Sequence, residues 1–168
     1  MKWGSYWKRE LYCADYKTIV VAVMVHFLCG ILSAFCGGSA SVYQYLLLPR
    51  FAPPTLVFVV MWSIIYLLLG VSLGVYISSY ECNKGRWKLN TCLLYGSFLA
   101  SLFLWYPVFF GARLFSVAFV IIACIISLAL FVFRHFIKRS RLAAFLLIPC
   151  IVFFVFSFLL NFCVLLLN

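Results

Sequence analysis

The stretch Trp105-Tyr106-Pro107-Val108-Phe109-Phe110-Gly111-Ala112-Arg113 closes one long apolar run of the chain just before another begins. An aromatic cluster, a proline and a lone arginine stand together in it, and composition alone would not produce that combination. The stretch therefore separates two long apolar segments, and the rest of the chain shows what those segments are.

The chain is too apolar to be a soluble protein. Of its 168 residues 68% are hydrophobic and only 10% are charged, and the mean hydropathy is +1.19. The chain is therefore expected to be embedded in a lipid bilayer. Because a helix needs ~20 apolar residues to cross a bilayer, the apolar length allows about five spans. We predict an all-α membrane protein, a five-transmembrane-helix bundle in one domain, with spans at about 18–38, 55–80, 89–110, 114–137 and 142–168. The apolar runs lack the alternating pattern of a membrane β-barrel.

The basic residues support five spans. All 13 lysines and arginines except Arg50 and Arg113 fall on one side of such a bundle. They are Lys2, Lys8, Arg9 and Lys17 before the first span, Lys84, Arg86 and Lys88 after the second, and Arg134, Lys138, Arg139 and Arg141 after the fourth. The positive-inside rule assigns this side to the cytosol or to the compartment that held the nascent chain. Topology thus explains the net charge of +10, and no nucleic-acid partner is expected because no basic run is long enough to follow a phosphate backbone.

The predicted spans lack the acidic residues that most catalytic mechanisms need. The acids Glu10, Asp15 and Glu81 all lie outside the spans. An ion-driven pump is therefore disfavoured, since proton-coupled transport usually depends on an intramembrane carboxylate, and general acid–base pairs are missing as well. We expect neither a conventional enzyme nor a cofactor.

The histidine and cysteine residues of the first span have two interpretations, ordinary packing and a metal site, of which the metal site is the weaker. His26, Cys29 and Cys36 are spaced to share one face of the first helix, where they would be suitable ligands for a soft metal, although ordinary packing is more usual for such a face. The eight cysteines are scattered without a C-x-x-C pair, and we interpret them as reduced packing residues.

Small residues recur every four positions in three spans, which lets helix backbones approach closely in lipid. The rows are Gly30, Ala34 and Gly38 in the first span, Gly70, Gly74 and Ser78 in the second, and Gly96 and Ala100 in the third. Packing within one chain and a homodimer seam on the third span both fit this pattern.

Aromatic side chains supply 20% of the residues. Trp62 and Tyr66 share one face of the second span, and Trp105 lies near Phe109 and Phe110 at the end of the third. Aromatic faces with few polar groups suit a flat apolar ligand such as a sterol or tetrapyrrole. The alternative is that these residues are interfacial belt or interhelical packing residues.

Four motifs in order resemble the translocator protein family, also called tryptophan-rich sensory proteins or peripheral benzodiazepine receptors. Trp105–Arg113 resembles its WPPxFFGA(R/K) segment, the loop Tyr43–Pro54 its W-Y-x-x-L-x-K-P-x-W-x-P-P loop, and Trp62–Tyr66 its W-x-x-L-Y pattern. Leu147-Ile148-Pro149 with Leu160-Asn161-Phe162 resembles the L-x-P and L-N-(Y/F) positions of its fifth helix. The match covers residues from about 43 to 168, while the first 42 match only as a helix.

The resemblance implies a five-helix bundle with a cavity that binds porphyrins, cholesterol-like sterols and isoquinoline- or benzodiazepine-type drugs, surrounded by membrane lipids. It also implies the mitochondrial outer membrane of a eukaryote or the envelope of a bacterium. By position, the expected ligand-binding residues are Trp62, Tyr66, Trp105, Phe109, Phe110, Leu160 and Asn161. Pro49, Pro53 and Pro54 would shape a lid and Arg113 would anchor the loop after the third helix, although the prolines can equally be a helix-start signal.

Several positions depart from the family pattern. Val42, Phe51 and Val117 replace expected tryptophans, and Phe98, Leu102 and Ile121 replace polar or acidic residues. The cholesterol-recognition pattern is lost because Phe162 and Leu166 stand where a tyrosine and a basic residue are expected. Three hypotheses follow: a receptor or translocator for a hydrophobic ligand, a photo-oxidative porphyrin-degrading protein, and a structural protein without a ligand.

Overall fold

The computed structural model describes residues 12–38, 42–82 and 89–168, with the side chains of residues 80–82 left aside. Within these ranges it contains six helices and one π-helical turn. They are α1 (Tyr16–Gly37), α2 (Val42–Tyr45), α3 (Thr55–Cys82), α4 (Leu89–Tyr106), the π turn (Pro107–Gly111), α5 (Phe115–Phe136) and α6 (Arg141–Leu167).

Five of these segments are long and apolar enough to cross a membrane: α1, α3, α4 with its π turn, α5 and α6. The predicted five-helix bundle is therefore confirmed, and each predicted span agrees with its helix to within two residues at either end. The predicted start of the second span also holds, because α3 begins at Thr55 directly after Pro53 and Pro54.

The spanning helices form a ring. Helix α1 packs on α3, α3 on α6, α6 on α5 and α5 on α4, and α1 closes the ring by contacting α4 and the π turn. Aromatic and aliphatic side chains fill the centre; the largest fully buried ones include Trp105, Tyr76, Phe98 and Phe154.

Two glycines of α3 bring it against the backbone of α1. A Cβ added at Gly70 would lie 2.5 Å from the Cα of Val23, and one added at Gly74 would lie 2.5 Å from the Cα of Ile19. The small-residue row on α3 therefore serves packing within the chain, as small-xxx-small rows do in lipid. Gly96 on α4 differs, since a Cβ there would meet no atom within 4 Å.

One end of the ring brings together the start of α1, the end of α3 and the α5–α6 connection. The Asp15 amide donates to Ser78 Oγ over 3.1 Å, and Arg139 Nη2 donates to the Ser79 carbonyl over 3.0 Å. Lys17 and the cations from Arg134 to Arg141 belong to this end. The cations Lys2, Lys8, Arg9, Lys84, Arg86 and Lys88 lie outside the described residues, as does Glu10.

One prediction about the cysteines is wrong. Cys13, which precedes α1, is disulfide-bonded, whereas every cysteine was predicted to be reduced. Disulfide pairing depends on which residues the fold brings close, and isolated cysteines far apart in sequence give no sign of it. Cys29, Cys36, Cys92, Cys124, Cys150 and Cys163 are free thiols.

Candidate functional site

A cavity lies between α1, α3 and the end of α4. Its volume is about 210 Å³. The residues that line it are Phe27, Gly30, Ile31, Ser33 and Ala34 of α1, Phe58, Val59, Trp62, Ser63 and Tyr66 of α3, and Trp105 and Tyr106 of α4. Three of the predicted ligand-binding residues, Trp62, Tyr66 and Trp105, are therefore brought to one cavity.

The cavity opens sideways, toward the surface that faces lipid. Ile31 and Val59, on its rim, are 51% and 48% exposed, and Ala34 and Ser63 are exposed as well. Its inner wall is buried, since Phe58, Trp62 and Trp105 are each at most 9% exposed. A ligand dissolved in the bilayer would reach this wall without passing through water.

Two stacked indoles form the inner wall. The rings of Trp62 and Trp105 lie 5.0 Å apart at 24°, and Phe58 packs edge-on against Trp62 with ring centroids 6.2 Å apart. Tyr66 extends the wall along α3, because its ring lies 6.0 Å from that of Trp62. Helical spacing of four residues places these two side chains on one face.

The two indole N–H groups differ in their partners. Trp105 Nε1 donates to Asn161 Oδ1 over 3.4 Å, and the amide nitrogen of Asn161 donates to the Ser157 carbonyl over 2.8 Å. Trp62 Nε1 is buried and has no hydrogen-bond partner among the described residues. A buried donor without a partner costs about 1–3 kcal/mol. The Trp62 side chain lines the cavity, but its Nε1 is shielded there, so a ligand would reach this donor only after a side chain shifts.

The other predicted ligand-binding residues lie behind this wall. Phe109, Phe110, Leu160 and Asn161 are at most 2% exposed and do not line the cavity. Phe109 stacks on Trp105 with centroids 5.3 Å apart, so these four residues fill the interior that a central pocket would occupy. Their role toward a ligand stays a prediction.

The predicted lid is a loop held at both ends. Tyr43 donates its hydroxyl proton to the Pro53 carbonyl over 3.0 Å, and burial raises the pKa of Tyr43. The Leu47 amide donates to Asn168 Oδ1 over 3.0 Å, while Asn168 Nδ2 donates to the Leu47 carbonyl over 3.1 Å. A turn that starts at Pro49 closes with a bond from the Ala52 amide to the Pro49 carbonyl. The Tyr43 bond thus joins the two ends of the loop, and Asn168 fastens its middle to the end of α6.

Arg113 follows the π turn in an unusual backbone conformation. Its φ is +56°, in the left-handed region where a residue with a Cβ is disfavoured. The residue is exposed, so its backbone helps to turn the chain into α5 while its side chain stays at the surface.

A model of the TspO/MBR family matches residues 19–167. The chain belongs to the TspO/MBR family. The resemblance seen in the sequence motifs is thereby confirmed, and it now includes α1, which the motifs did not reach. None of the curated proteins shows a significant match to the chain.

In this TspO/MBR protein α1 supplies five of the cavity-lining residues, and sequence reasoning missed all of them. The motifs of residues 43–168 could not find them because α1 matched only as a helix. Gly30 does carry a signal, since a Cβ there would lie 2.7 Å from Cε2 of Tyr66. The small-residue row of α1 therefore leaves room for the aromatic wall of α3.

The cavity of this TspO/MBR protein is apolar and holds no charged side chain among its described lining residues. The weaker metal interpretation finds no support, because His26 is buried while Cys36 is exposed. Within the described ranges, no three His, Cys, Asp or Glu residues lie close enough to hold a metal ion. The chemistry that remains available is stacking, apolar contact and hydrogen bonding to uncharged groups, namely the hydroxyls of the lining serines and tyrosines and the indole N–H of Trp62.

Proposed function

We propose that this TspO/MBR protein binds a flat apolar ligand that carries a hydrogen-bond acceptor, in the cavity between α1, α3 and α4 and from the lipid side. The observation that carries the proposal is the unpartnered Nε1 of Trp62, nine-tenths buried at the aromatic wall. A tetrapyrrole such as protoporphyrin is the first candidate. Cholesterol-like sterols and isoquinoline- or benzodiazepine-type drugs follow.

A hydrogen-bond acceptor on the ligand distinguishes these candidates from the acyl chains of bulk lipid. An acyl chain would fill the cavity but would leave the Trp62 donor unsatisfied, whereas a carboxylate, a carbonyl or an imine nitrogen would accept a hydrogen bond from it once the N–H is turned toward the cavity. A tetrapyrrole has such acceptors at the edge of a planar π system, and a planar ring packs well on indole faces in offset stacking. A sterol supplies one hydroxyl oxygen and a flat body.

The size of the cavity limits how the ligand sits. Pockets that enclose a drug-sized ligand have volumes of about 300–1,000 Å³, and this one has about 210 Å³. A tetrapyrrole or sterol would therefore insert one edge between α1 and α3 and leave the remainder in lipid. That arrangement suits a protein that exchanges its ligand with the bilayer, as a translocator or receptor does.

A titration of the purified protein with protoporphyrin, followed by tryptophan fluorescence, tests this assignment. Ala34→Phe places a ring in the exposed mouth of the cavity without altering the buried wall. Val21→Phe is the matched control, because Val21 is a lipid-facing residue of the same helix, 62% exposed, that does not line the cavity. We expect saturable quenching in the wild type and in Val21→Phe, and loss of quenching in Ala34→Phe. Equal affinities in all three proteins would overturn the cavity assignment.

A second candidate is light- or oxidant-dependent degradation of a bound porphyrin. The observation that favours it is the stacked pair Trp62 and Trp105, since adjacent indoles are good one-electron donors. Absorbance spectra of illuminated and dark samples with protoporphyrin distinguish this activity from simple binding. Identical spectra after illumination would dismiss it.

A third candidate is assembly into a homodimer through α4. Gly96 and Ala100 lie in a surface groove with Cys29, Leu99, Phe103 and Leu104, and a Cβ added at Gly96 would have no described neighbour within 4 Å. Crosslinking in lipid nanodiscs tests this interface, with Gly96→Leu expected to remove the dimer. An undiminished crosslinked species in that variant would count against α4 as the seam.

A further inference from the structure

A histidine and a tyrosine form a pair inside the bundle that ligand binding does not use. His26 of α1 is completely buried, and Tyr95 of α4 is 5% exposed. His26 Nε2 lies 2.9 Å from the Tyr95 hydroxyl. Ionisable side chains inside membrane spans are costly and are usually functional.

The hydrogen bonds of the pair define its protonation. His26 Nδ1 lies 2.7 Å from the Ala22 carbonyl oxygen, and because a carbonyl can only accept, Nδ1 must carry a proton. In the neutral ring Nε2 is then an acceptor, so the Tyr95 hydroxyl donates to it. The Leu69 carbonyl is a more distant acceptor, at 3.4 Å. The phenol of Tyr95 is therefore bonded to a base that can take its proton.

Packed aromatic rings connect this pair to the cavity wall. The ring of Trp62 lies 6.3 Å from that of Phe154, Phe154 lies 6.1 Å from Phe98, and Phe98 lies 5.7 Å from Tyr95. Dense packing of this kind favours electron tunnelling over the same distance through empty space. The phenylalanine rings serve as the medium and are not themselves oxidised.

A nearer tyrosine lacks the base. The Tyr66 ring is 6.0 Å from Trp62, but its hydroxyl makes no hydrogen bond to a nitrogen base among the described residues. Oxidation of a tyrosine by a tryptophan radical requires loss of the phenolic proton, and of these two tyrosines Tyr95 is the one whose hydroxyl is bonded to a nitrogen base. This difference makes Tyr66 a matched control for Tyr95.

We propose that Tyr95 and His26 form a redox pair that reduces oxidised Trp62. A photoexcited tetrapyrrole in the cavity takes one electron from Trp62 and passes it to dioxygen, which leaves Trp62 as a radical cation and produces superoxide. Tyr95 then gives one electron to Trp62 and its phenolic proton to His26 Nε2. The products are neutral Trp62, a neutral Tyr95 radical and the His26 imidazolium, so charge and protons balance. The tetrapyrrole step rests on the proposed function, whereas the Tyr95 to Trp62 step does not.

Direct photoionisation of tryptophan by a laser pulse tests the pair without any ligand. Nitrous oxide converts the ejected electron into a hydroxyl radical, and tert-butanol removes that radical before it oxidises the protein. Transient absorption then follows the decay of the tryptophan radical and the rise of the tyrosyl radical. We expect a tyrosyl signal in the wild type and in Tyr66→Phe, and its loss in Tyr95→Phe. His26→Gln, which keeps a hydrogen-bonding side chain but removes the base, is expected to slow its formation.

A second readout uses the wild-type fold, so it does not depend on whether the buried variants fold. Electron–nuclear double resonance on protein labelled with ¹⁵N-histidine should show a histidine nitrogen coupled to the tyrosyl radical. The coupling should persist in His135→Gln, which removes the other histidine of the chain. A tyrosyl radical that survives in Tyr95→Phe, that lacks this coupling, or that never forms would overturn the pair. Failure of protoporphyrin to quench fluorescence, with the radical still formed, would instead overturn only the proposed ligand.

Discussion

The hydroxyl of Ser33 donates to the carbonyl oxygen of Phe103 over 2.6 Å. In a regular helix that carbonyl would accept from the amide of residue 107, but Pro107 has no N–H. Ser33 of α1 therefore replaces the missing donor of α4, just before the π turn that follows. One hydroxyl thus joins α1 to the irregular segment beside the cavity.

Loss of this hydroxyl should destabilise the bundle. Ser33→Ala removes this partly buried hydrogen bond, and we expect a cost of about 0.5–1.5 kcal/mol, measured by unfolding in mixed detergent micelles. Ser63→Ala is the control, because Ser63 is exposed and bonds only the Val59 carbonyl of its own helix.

A double-mutant cycle with Pro107→Ala makes the test specific. Alanine restores an amide four residues after Phe103, so Ser33→Ala should cost less in that background. Equal costs in both backgrounds would show that Ser33 does not compensate for the proline.

The glycines of α3 and α4 should respond in opposite ways to a methyl group. Gly70→Ala and Gly74→Ala force α3 away from the α1 backbone, and overpacking of this kind costs about 1–3 kcal/mol. Gly96→Ala meets open space and should leave stability unchanged or raise it, since alanine favours helix. Thermal unfolding of the three variants measures this, and a destabilised Gly96→Ala protein would mean that Gly96 is covered by another chain.

Asn168 should control the mobility of the lid loop. Asn168→Ala removes both hydrogen bonds to Leu47, so trypsin should cleave faster after the exposed Arg50. Gln44→Ala, at another exposed position near the same loop, is the control. Cleavage at the wild-type rate in Asn168→Ala would show that other contacts, such as that of Phe51 with Phe156, hold the loop.

The stability of the α1 start should fall in acid. The hydroxyl and then the amide of Thr18 donate to Asp15, and these bonds lower its pKa. A group whose pKa is lower in the folded state stabilises the fold above its unfolded pKa, near 4, and loses that effect as pH falls through the folded pKa. Wild-type stability should thus decline below about pH 4 relative to Asp15→Asn, as measured by thermal unfolding. Parallel pH profiles would contradict this.

Hydropathy and motifs predicted the parts of the fold that depend on composition along the chain. The five spans, the start of α3 at Thr55 and the close packing of Gly70 and Gly74 all follow from local sequence. Trp62 and Tyr66 lie on one face of α3, as their spacing predicted, and both line the cavity.

The contacts that the sequence did not reveal join positions far apart along the chain. Ser33 with Phe103, His26 with Tyr95 and Leu47 with Asn168 depend on which face of each helix points inward. In lipid both faces of a helix are apolar, so periodicity does not separate the inner face from the outer one. For the same reason the α1 wall of the cavity could not be predicted.

Binding at the aromatic wall is best tested by the indole ¹H–¹⁵N resonance of Trp62 during a protoporphyrin titration, with the signal assigned by its absence in Trp62→Phe. We expect a saturable shift of the Trp62 indole proton as its N–H gains an acceptor, and a smaller change for Trp105, whose N–H is already bonded to Asn161. A Trp62 resonance that does not move at saturating ligand would contradict binding at this wall.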